Sequence, residues 1–392
     1  MDNVYGKKVE KQKESILNSD AAPGIILLVA TVAALLFANT PLKNIYDTLV
    51  YNLKIGEEFN VHFLVNDFLM AIFFIVVGCE IKREIVYGKL SNIKQAAFPV
   101  LAAVGGMVMP AIIFSIFNFH TVLEVGVGVP LSTDIAFAIG IFAILKDRVN
   151  QSLKIFLLTL AVVDDLLSIV IIGVFYSSNI RILGIIAAVI LTIILLCIRK
   201  IDKLNNLYTY LFVGLLLWMA MLYSGVHSTL SGVILAFCIP VHDENNRHID
   251  LNYKLQHTLE GFSNFVILPL FAFINTGIAF GGNLDFDKDI TLLIGIVLGL
   301  CVGKPLGIVG FGYIGNLLNV AQKPESSSWY DIFIVSVIAG IGFTMSLFIT
   351  EIAFANREIE INVAKVSILI AAIISILASY IFTMFNRKNM KF

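Results

Sequence analysis

Apolar residues recur along this chain in long runs separated by short polar stretches, with little period-two alternation. Twelve runs are candidate membrane spans: roughly 22–39, 66–81, 95–117, 125–145, 155–176, 181–198, 207–223, 226–240, 260–279, 290–313, 329–353 and 362–384. A helix rises about 1.5 Å per residue, so about 20 residues cross the ~30 Å hydrocarbon layer of a bilayer. The pattern predicts an all-α membrane protein of twelve transmembrane helices in one transmembrane domain, residues 1–392. One stretch departs from it. In residues 51–63, "YNLKIGEEFNVHF", Leu53 and Ile55 alternate on one side of Gly56-Glu57-Glu58, and Phe59, Val61 and Phe63 on the other. That pattern predicts a small β-hairpin.

Composition agrees: 58% of the chain is hydrophobic and 14% charged, where soluble domains sit near half and a quarter. No basic patch exists outside short loops, so nucleic acid is not an expected partner. The first 20 residues are charged and polar, without the pattern of a cleavable signal. Cys79, Cys197, Cys238 and Cys301 show no CxxC spacing and read as small core residues.

Charge distribution orients the spans. Twenty of the 27 Lys and Arg fall on the side of the two termini, five on the opposite side and two within spans. Positive charge accumulates on the cytoplasmic side, so both termini are expected there and the 51–63 hairpin outside.

Charges inside the runs need a reason, because a charge at the bilayer centre costs about 2.5–3.5 kcal/mol on insertion scales. Asp67, Glu80, Glu84, Glu351 and Lys365 lie near span ends, where long side chains can reach water. Asp134, Asp164, Asp165 and Lys304 do not. Asp164 and Asp165 lie about 15 Å into their span. Helical neighbours point about 100° apart, so one carboxylate can face a cavity while the other faces a neighbouring helix. Each needs a cation, a proton or water, and their proximity disfavours double ionisation. The pair is suited to exchange a proton for a cation.

Two spans carry helix-breaking residues. "VGVGVPLSTDIAFAIG" (125–140) contains Gly126, Gly128 and Pro130, and "SVIAGIGFTMSLFITEI" (336–352) contains Gly340 and Gly342. Each break is followed by a hydroxyl-bearing segment that includes Thr133 or Thr344. Spans 3–5 and 10–12, about 95–176 and 290–384, start on opposite sides, which makes them inverted three-helix repeats with two broken crossing helices. That pattern points to a transporter site near the midplane. Asp134 can offset exposed helix N-termini, and Lys304 exposed C-termini.

The motifs "PLSTDIAFAIG", "LAVVDDLLSIV", "GKPLGI", "GIGFTMSLFI", "GCEIKREI" and "SGVHSTLSGV" together resemble the NhaA-type bacterial sodium/proton antiporters, from Pro23 to about Tyr380. The resemblance implies a cell inner membrane carrier that exchanges cytoplasmic Na+ or Li+ for external H+, electrogenic and pH-regulated, with no cofactor. It implies that Asp164 and Asp165 bind the ion and accept protons, with Thr133, Asp134 and Lys304 supporting them. Glu80, Lys82, Arg83 and Glu84 resemble a charged cytoplasmic cluster linked to pH response, and His227 and His257 match histidines with the same association. The 51–63 hairpin resembles the element that joins a homodimer. Two positions depart from the pattern: Gln256 stands where a glutamate is usual, and Glu260 where a histidine is frequent.

Other chemistries share parts of this pattern. A passive cation channel would tolerate neutralising one aspartate. A sodium-coupled symporter of a small organic anion would need a roomier polar cavity. An intramembrane aspartyl protease lacks its GxGD-type motif here. A prenyltransferase-like DDxxD site lacks its third acid, Ser168 standing in its place.

Overall fold

The computed structural model describes residues 21–55, 59–145, 149–177, 180–201, 203–241, 250–279, 289–324 and 327–386. Its helices, in chain order, are α1 (Ala22–Ala38), α2 (Lys43–Asp47), α3 (Val61–Phe63), α4 (Met70–Val86), α5 (Ile93–Asn118), α6 (Ile135–Ile144), α7 (Leu153–Phe175), α8 (Ile182–Ile198) and α9 (Leu207–Ser224). They continue with α10 (Leu230–Cys238), α11 (Leu251–Phe262), α12 (Leu268–Asn275), α13 (Ile290–Leu298), α14 (Lys304–Leu317), α15 (Trp329–Ala339), α16 (Phe343–Ala353) and α17 (Glu358–Asn386).

Helix lies in each of the twelve apolar runs, in pieces of unequal length. Among the described residues, eight helices are long and apolar enough to cross a membrane, or ten when each of two bent pairs counts as one span. The shortfall from twelve has local causes. Helix α8 stops at 17 residues. Helix α10 has nine, held between Gly225 in the left-handed region (φ 79°) and Pro240, which disfavours helix in the residue before it.

Within the stretch expected to form a hairpin, the described residues hold only a two-residue ladder. Lys54–Ile55 pairs antiparallel with Phe59–Asn60, in the register Lys54 to Asn60 and Ile55 to Phe59. Residues 48–52 are wound as π-helix and Val61 begins α3. The Asn60 side chain accepts from Phe63 N at 2.7 Å, an N-cap that ends the extended segment. Gly56, Glu57 and Glu58 lie outside the described residues.

Proline and glycine shape the spans around the centre. Residues Gly299–Gly303 form a π-turn between α13 and α14, just before Pro305, which has no N–H to continue the ladder. Helices α5 and α14 pack against each other, backbone to backbone. A Cβ on Gly105 would overlap the Gly307 carbonyl, and one on Gly307 would overlap that of Gly105. Small residues permit this approach in membranes, where association depends on van der Waals contact.

Among the described residues, burial divides into two apolar clusters. The larger draws on α4–α7 and α12–α17 and contains Phe98, Phe156, Ile296, Ile338 and Phe348. The smaller, around Cys79, Leu195, Tyr210, Leu217 and Leu255, is built by α4, α8, α9, α10 and α11. Helix α4 contributes to both.

Candidate functional site

The two broken spans meet at their breaks. The first runs as 3-10 helix through Glu124–Leu131, opens over residues 132–134 and resumes as α6. Gly126, Gly128 and Pro130, read from sequence as the interruption, therefore lie inside the tighter helix, and the gap follows them. Gly128 is pinned there by its N–H, which donates to Tyr176 OH at 3.1 Å. The second span opens between α15 and α16, at residues 340–342, with a bend of 46°. A Cβ on Gly342 would sit 2.9 Å from Ser132 O, so the crossing requires a glycine there. Backbone joins backbone at this point, where Asp134 N donates to Ile341 O at 2.8 Å. Ser346 Oγ donates to Val129 O at 2.7 Å.

The charges complete the crossing. Asp134 is buried (1% exposed). Its Oδ1 accepts from Phe137 N at 2.9 Å, and its Oδ2 from Thr344 N at 2.9 Å and Thr344 Oγ1 at 2.5 Å. One carboxylate thus serves the N-termini of α6 and α16, where partial positive charge collects. Lys304, fully buried, donates to Leu131 O at 2.5 Å, at the carbonyl end of the 3-10 helix. The same Nζ lies 2.8 Å from Asp164 Oδ2.

Asp164 and Asp165 stand in different surroundings. Asp164 Oδ2 takes Lys304 and also accepts from Thr133 Oγ1 at 2.6 Å. Asp165 lines a cavity of about 340 Å³ beside the C-terminal half of α4, together with Glu80, Asp134, Glu260, Ser263 and Thr344. Adjacent helical positions produce this split, because they diverge by about 100°. Oδ1 of each aspartate is buried without a hydrogen-bond partner. A carboxylate oxygen in that condition is costly unless it holds a proton or a cation, and oxygen donors are what hard cations select.

The residues expected in a charged pH-response cluster separate into different tasks. Glu80 faces the cavity. Lys82 turns away and donates to Phe237 O at 2.7 Å and to Ile239 O, holding the end of α10. Arg83 lies over the Tyr253 ring at 4.5 Å and 3.8 Å from Asp250. Glu84 accepts from Lys89 N at 2.8 Å, closing the turn after α4. His227 sits in the turn before α10, where its carbonyl accepts from Leu230 N at 3.2 Å. His257 is exposed and lies 3.5 Å from Glu260, which lines the same cavity as Glu80 and Asp165. Glu260 was flagged in the sequence only as a departure from a pattern. Its place at the cavity mouth could be anticipated from its carboxylate at the end of a helix with a polar face.

A second cavity, of about 830 Å³, opens at the opposite end of the continuous helix Val61–Val86. Glu351 and Lys365, read as charges able to reach water, are instead largely buried and paired at 2.7 Å. The ion pair joins α16 to α17.

The chain matches the family model described as Na+/H+ antiporter 1 over residues 14–383. It is 42% identical to a Na(+)/H(+) antiporter NhaA of Shewanella sp. (strain ANA-3), over 95% of this chain and 97% of that one. It is 38% identical to a Na(+)/H(+) antiporter NhaA of Wolinella succinogenes, over 94% of this chain and 92% of that one. With the match running through both broken spans and the aspartate pair, the chain belongs to the Na+/H+ antiporter 1 family.

Proposed function

We propose that this protein exchanges cytoplasmic Na+ or Li+ for external H+, with Asp164 and Asp165 as the shared site. The observation that carries the proposal is the unequal setting of two adjacent carboxylates: Asp165 opens to a cavity while Asp164 is held by Lys304 and Thr133. A sodium ion arriving at Asp165 competes with its proton, and can draw Asp164 away from Lys304. A state with neither ion nor proton leaves carboxylates exposed to a low-dielectric interior and is disfavoured. Competition alone then couples the two fluxes. Thr133 is the hydroxyl placed to follow Asp164, and Asp134 keeps the crossing intact in both states.

The finer reading follows from the same parts. Twelve spans, with inverted repeats over about 95–176 and 290–384, would rock around the crossing against a scaffold of the remaining spans. Both termini face the cytoplasm, which makes the Asp165 cavity inward-facing and the Glu351 cavity outward-facing. If two protons, or one from a carboxyl and one from Lys304, leave per sodium, exchange moves charge. The membrane potential then contributes about 2.3 kcal/mol per charge per 100 mV. Rising cytoplasmic pH removes protons from the site and admits sodium, with Glu80, Glu260 and His257 at the cavity mouth modulating that step. The short ladder at residues 54–60 is the proposed contact between two protomers of a homodimer.

The test is sodium-induced dissipation of a pH gradient in proteoliposomes, at pH 6.5–9, for the parent and Asp165→Asn. The expected result is exchange in the parent and at least about a hundredfold loss in the variant, the scale of removing the group that carries both ions. Normal exchange in the variant would assign the aspartates a structural role only.

A further inference from the structure

His62 stands between two alternative partners. It belongs to α3, at the opposite end of the Val61–Val86 helix from Glu80, about 27 Å away at the helical rise. Its Nε2 lies 3.1 Å from Asn66 Nδ2 and 3.5 Å from Glu351 Oε2. Asn66 is paired reciprocally with Asn275: its Nδ2 donates to Asn275 Oδ1 at 3.1 Å, and Asn275 Nδ2 donates to Asn66 Oδ1 at 2.8 Å. That leaves one amide hydrogen of Asn66 for His62. Both His62 and Glu351 line the larger cavity.

A single nitrogen cannot serve both partners in one charge state. Neutral imidazole with its proton on Nδ1 accepts at Nε2, from Asn66. Once a proton binds Nε2, that atom becomes a donor, opposed to the Asn66 amide and matched to the Glu351 carboxylate. We propose that His62 is a second proton-binding residue of this carrier, taking external protons and passing its Nε2 from Asn66 to Glu351 when it does. The proposal takes its sidedness from the exchange reading above.

The groups around His62 fit such a switch. The Tyr51 ring stacks on the imidazole with centroids 5.5 Å apart, holding its plane while its partner changes. Lys365 holds the other oxygen of Glu351 at 2.7 Å, a cation that fixes the carboxyl group and leaves Oε2 toward the ring. Lys43, Asp47, Arg357 and Glu358 line the rest of the cavity and balance in charge. Asp67, five residues on along the same helix, is within electrostatic reach of His62 but accepts from Ser228 Oγ at 2.6 Å, leaving Glu351 the carboxylate in contact with the ring.

The partners belong to different parts of the fold. Asn66 and Asn275 lie on the α4 and α12 spans, whereas Glu351 ends α16, whose first turn holds Asp134 through Thr344. Protonated His62 therefore ties α16 to the outer end of the α4 span, and neutral His62 releases it. Acid outside fastens the outer side in the arrangement seen here, which slows the carrier without touching Asp165.

The test uses proteoliposomes with separately buffered sides. The face bearing Lys82 and Arg83 is held at one pH, and the opposite face is stepped from about 5.5 to about 8, the range in which imidazoles change charge. His62→Gln mimics the neutral ring and His62→Lys the charged one. The ratio of the His62→Gln rate to the parent rate should rise roughly tenfold toward external acid and stay near one at the alkaline end, the size of one charge-assisted contact. His62→Lys should be slow at every external pH. A flat His62→Gln ratio, or two variants slowed alike, overturns the proposal. If the parent itself shows no sodium-dependent exchange, the exchange reading fails first and takes this inference with it.

Discussion

The cavity beside Asp165 gathers Glu80, Asp134, Asp165 and Glu260, and among the described residues no lysine or arginine lines it. The cavity around Glu351 sets Lys43, Arg357 and Lys365 against Asp47, Glu351 and Glu358. The two also differ in reach, since Asp165 lines the first and neither Asp164 nor Asp165 lines the second. An acidic cleft with apolar walls concentrates cations and focuses field lines. A cavity whose charges balance does neither. The first is suited to capture a cation on its way to Asp165, and the second to join α16 to α17 at its end through the Glu351–Lys365 pair.

The comparison breaks most severely at Lys304. The Lys304→Met variant leaves Asp164 buried beside Thr133 with no cation, and removes the donor to Leu131 O. An uncompensated buried charge costs about 3–5 kcal/mol. Thermal unfolding in detergent should show this loss for Lys304→Met. The double variant Lys304→Met with Asp164→Asn should recover most of it, because the unpaired charge is gone. Equal destabilisation of single and double variants would show that the lysine acts through Leu131 alone.

A smaller effect is expected at the mouth of the acidic cavity. Glu80→Gln and Glu260→Gln each remove one charge without touching Asp165, so the maximal exchange rate should hold while apparent sodium affinity falls a few-fold. The loss should shrink in high salt made with a large, impermeant cation, since screening shortens the reach of charge to about 3 Å at 1 M. A fall in maximal rate would instead place these carboxylates on the ion's path.

Much of the crossing was legible because charges are expensive there. Asp134, Asp164, Asp165 and Lys304 stand out against long apolar runs. The structure ties Asp164 to Lys304 and Thr133, and Asp134 to Thr344, while Asp165, beside them, lines the cavity. The outer cluster was not legible. His62, Glu351 and Lys365 lie near the ends of three different spans, where a charge that reaches water and a charge that pairs look alike in sequence. The helix breaks were placed a few residues early in the first span because Gly and Pro mark permissive positions, while the gap falls where Asp134 supplies the acceptor that the exposed N–H groups need. Lys82, Arg83 and Glu84 were grouped with Glu80 by resemblance to a family's charged cluster; neighbouring residues on a helix face different ways, and each of the three makes a different local contact.

The slightest test of the comparison is Gln256→Glu. Position 256 lies one turn before Glu260 on α11, outside the lining of the acidic cavity but close to its mouth. A carboxylate there meets Glu260 at the i,i+4 spacing, where like charges repel by about 0.2–0.5 kcal/mol. Added negative charge also draws protons toward the mouth, so deprotonation of the site would need a more alkaline cytoplasm. The half-activation pH should therefore move upward, by no more than about half a unit, since the helix is part-exposed and solvent weakens such couplings. The shift should appear at low ionic strength and fade in high salt. A shift of the same size for a charge added beside Arg357, across the membrane, would show that net charge rather than the acidic cavity sets the profile, and would erase the distinction between the two ends.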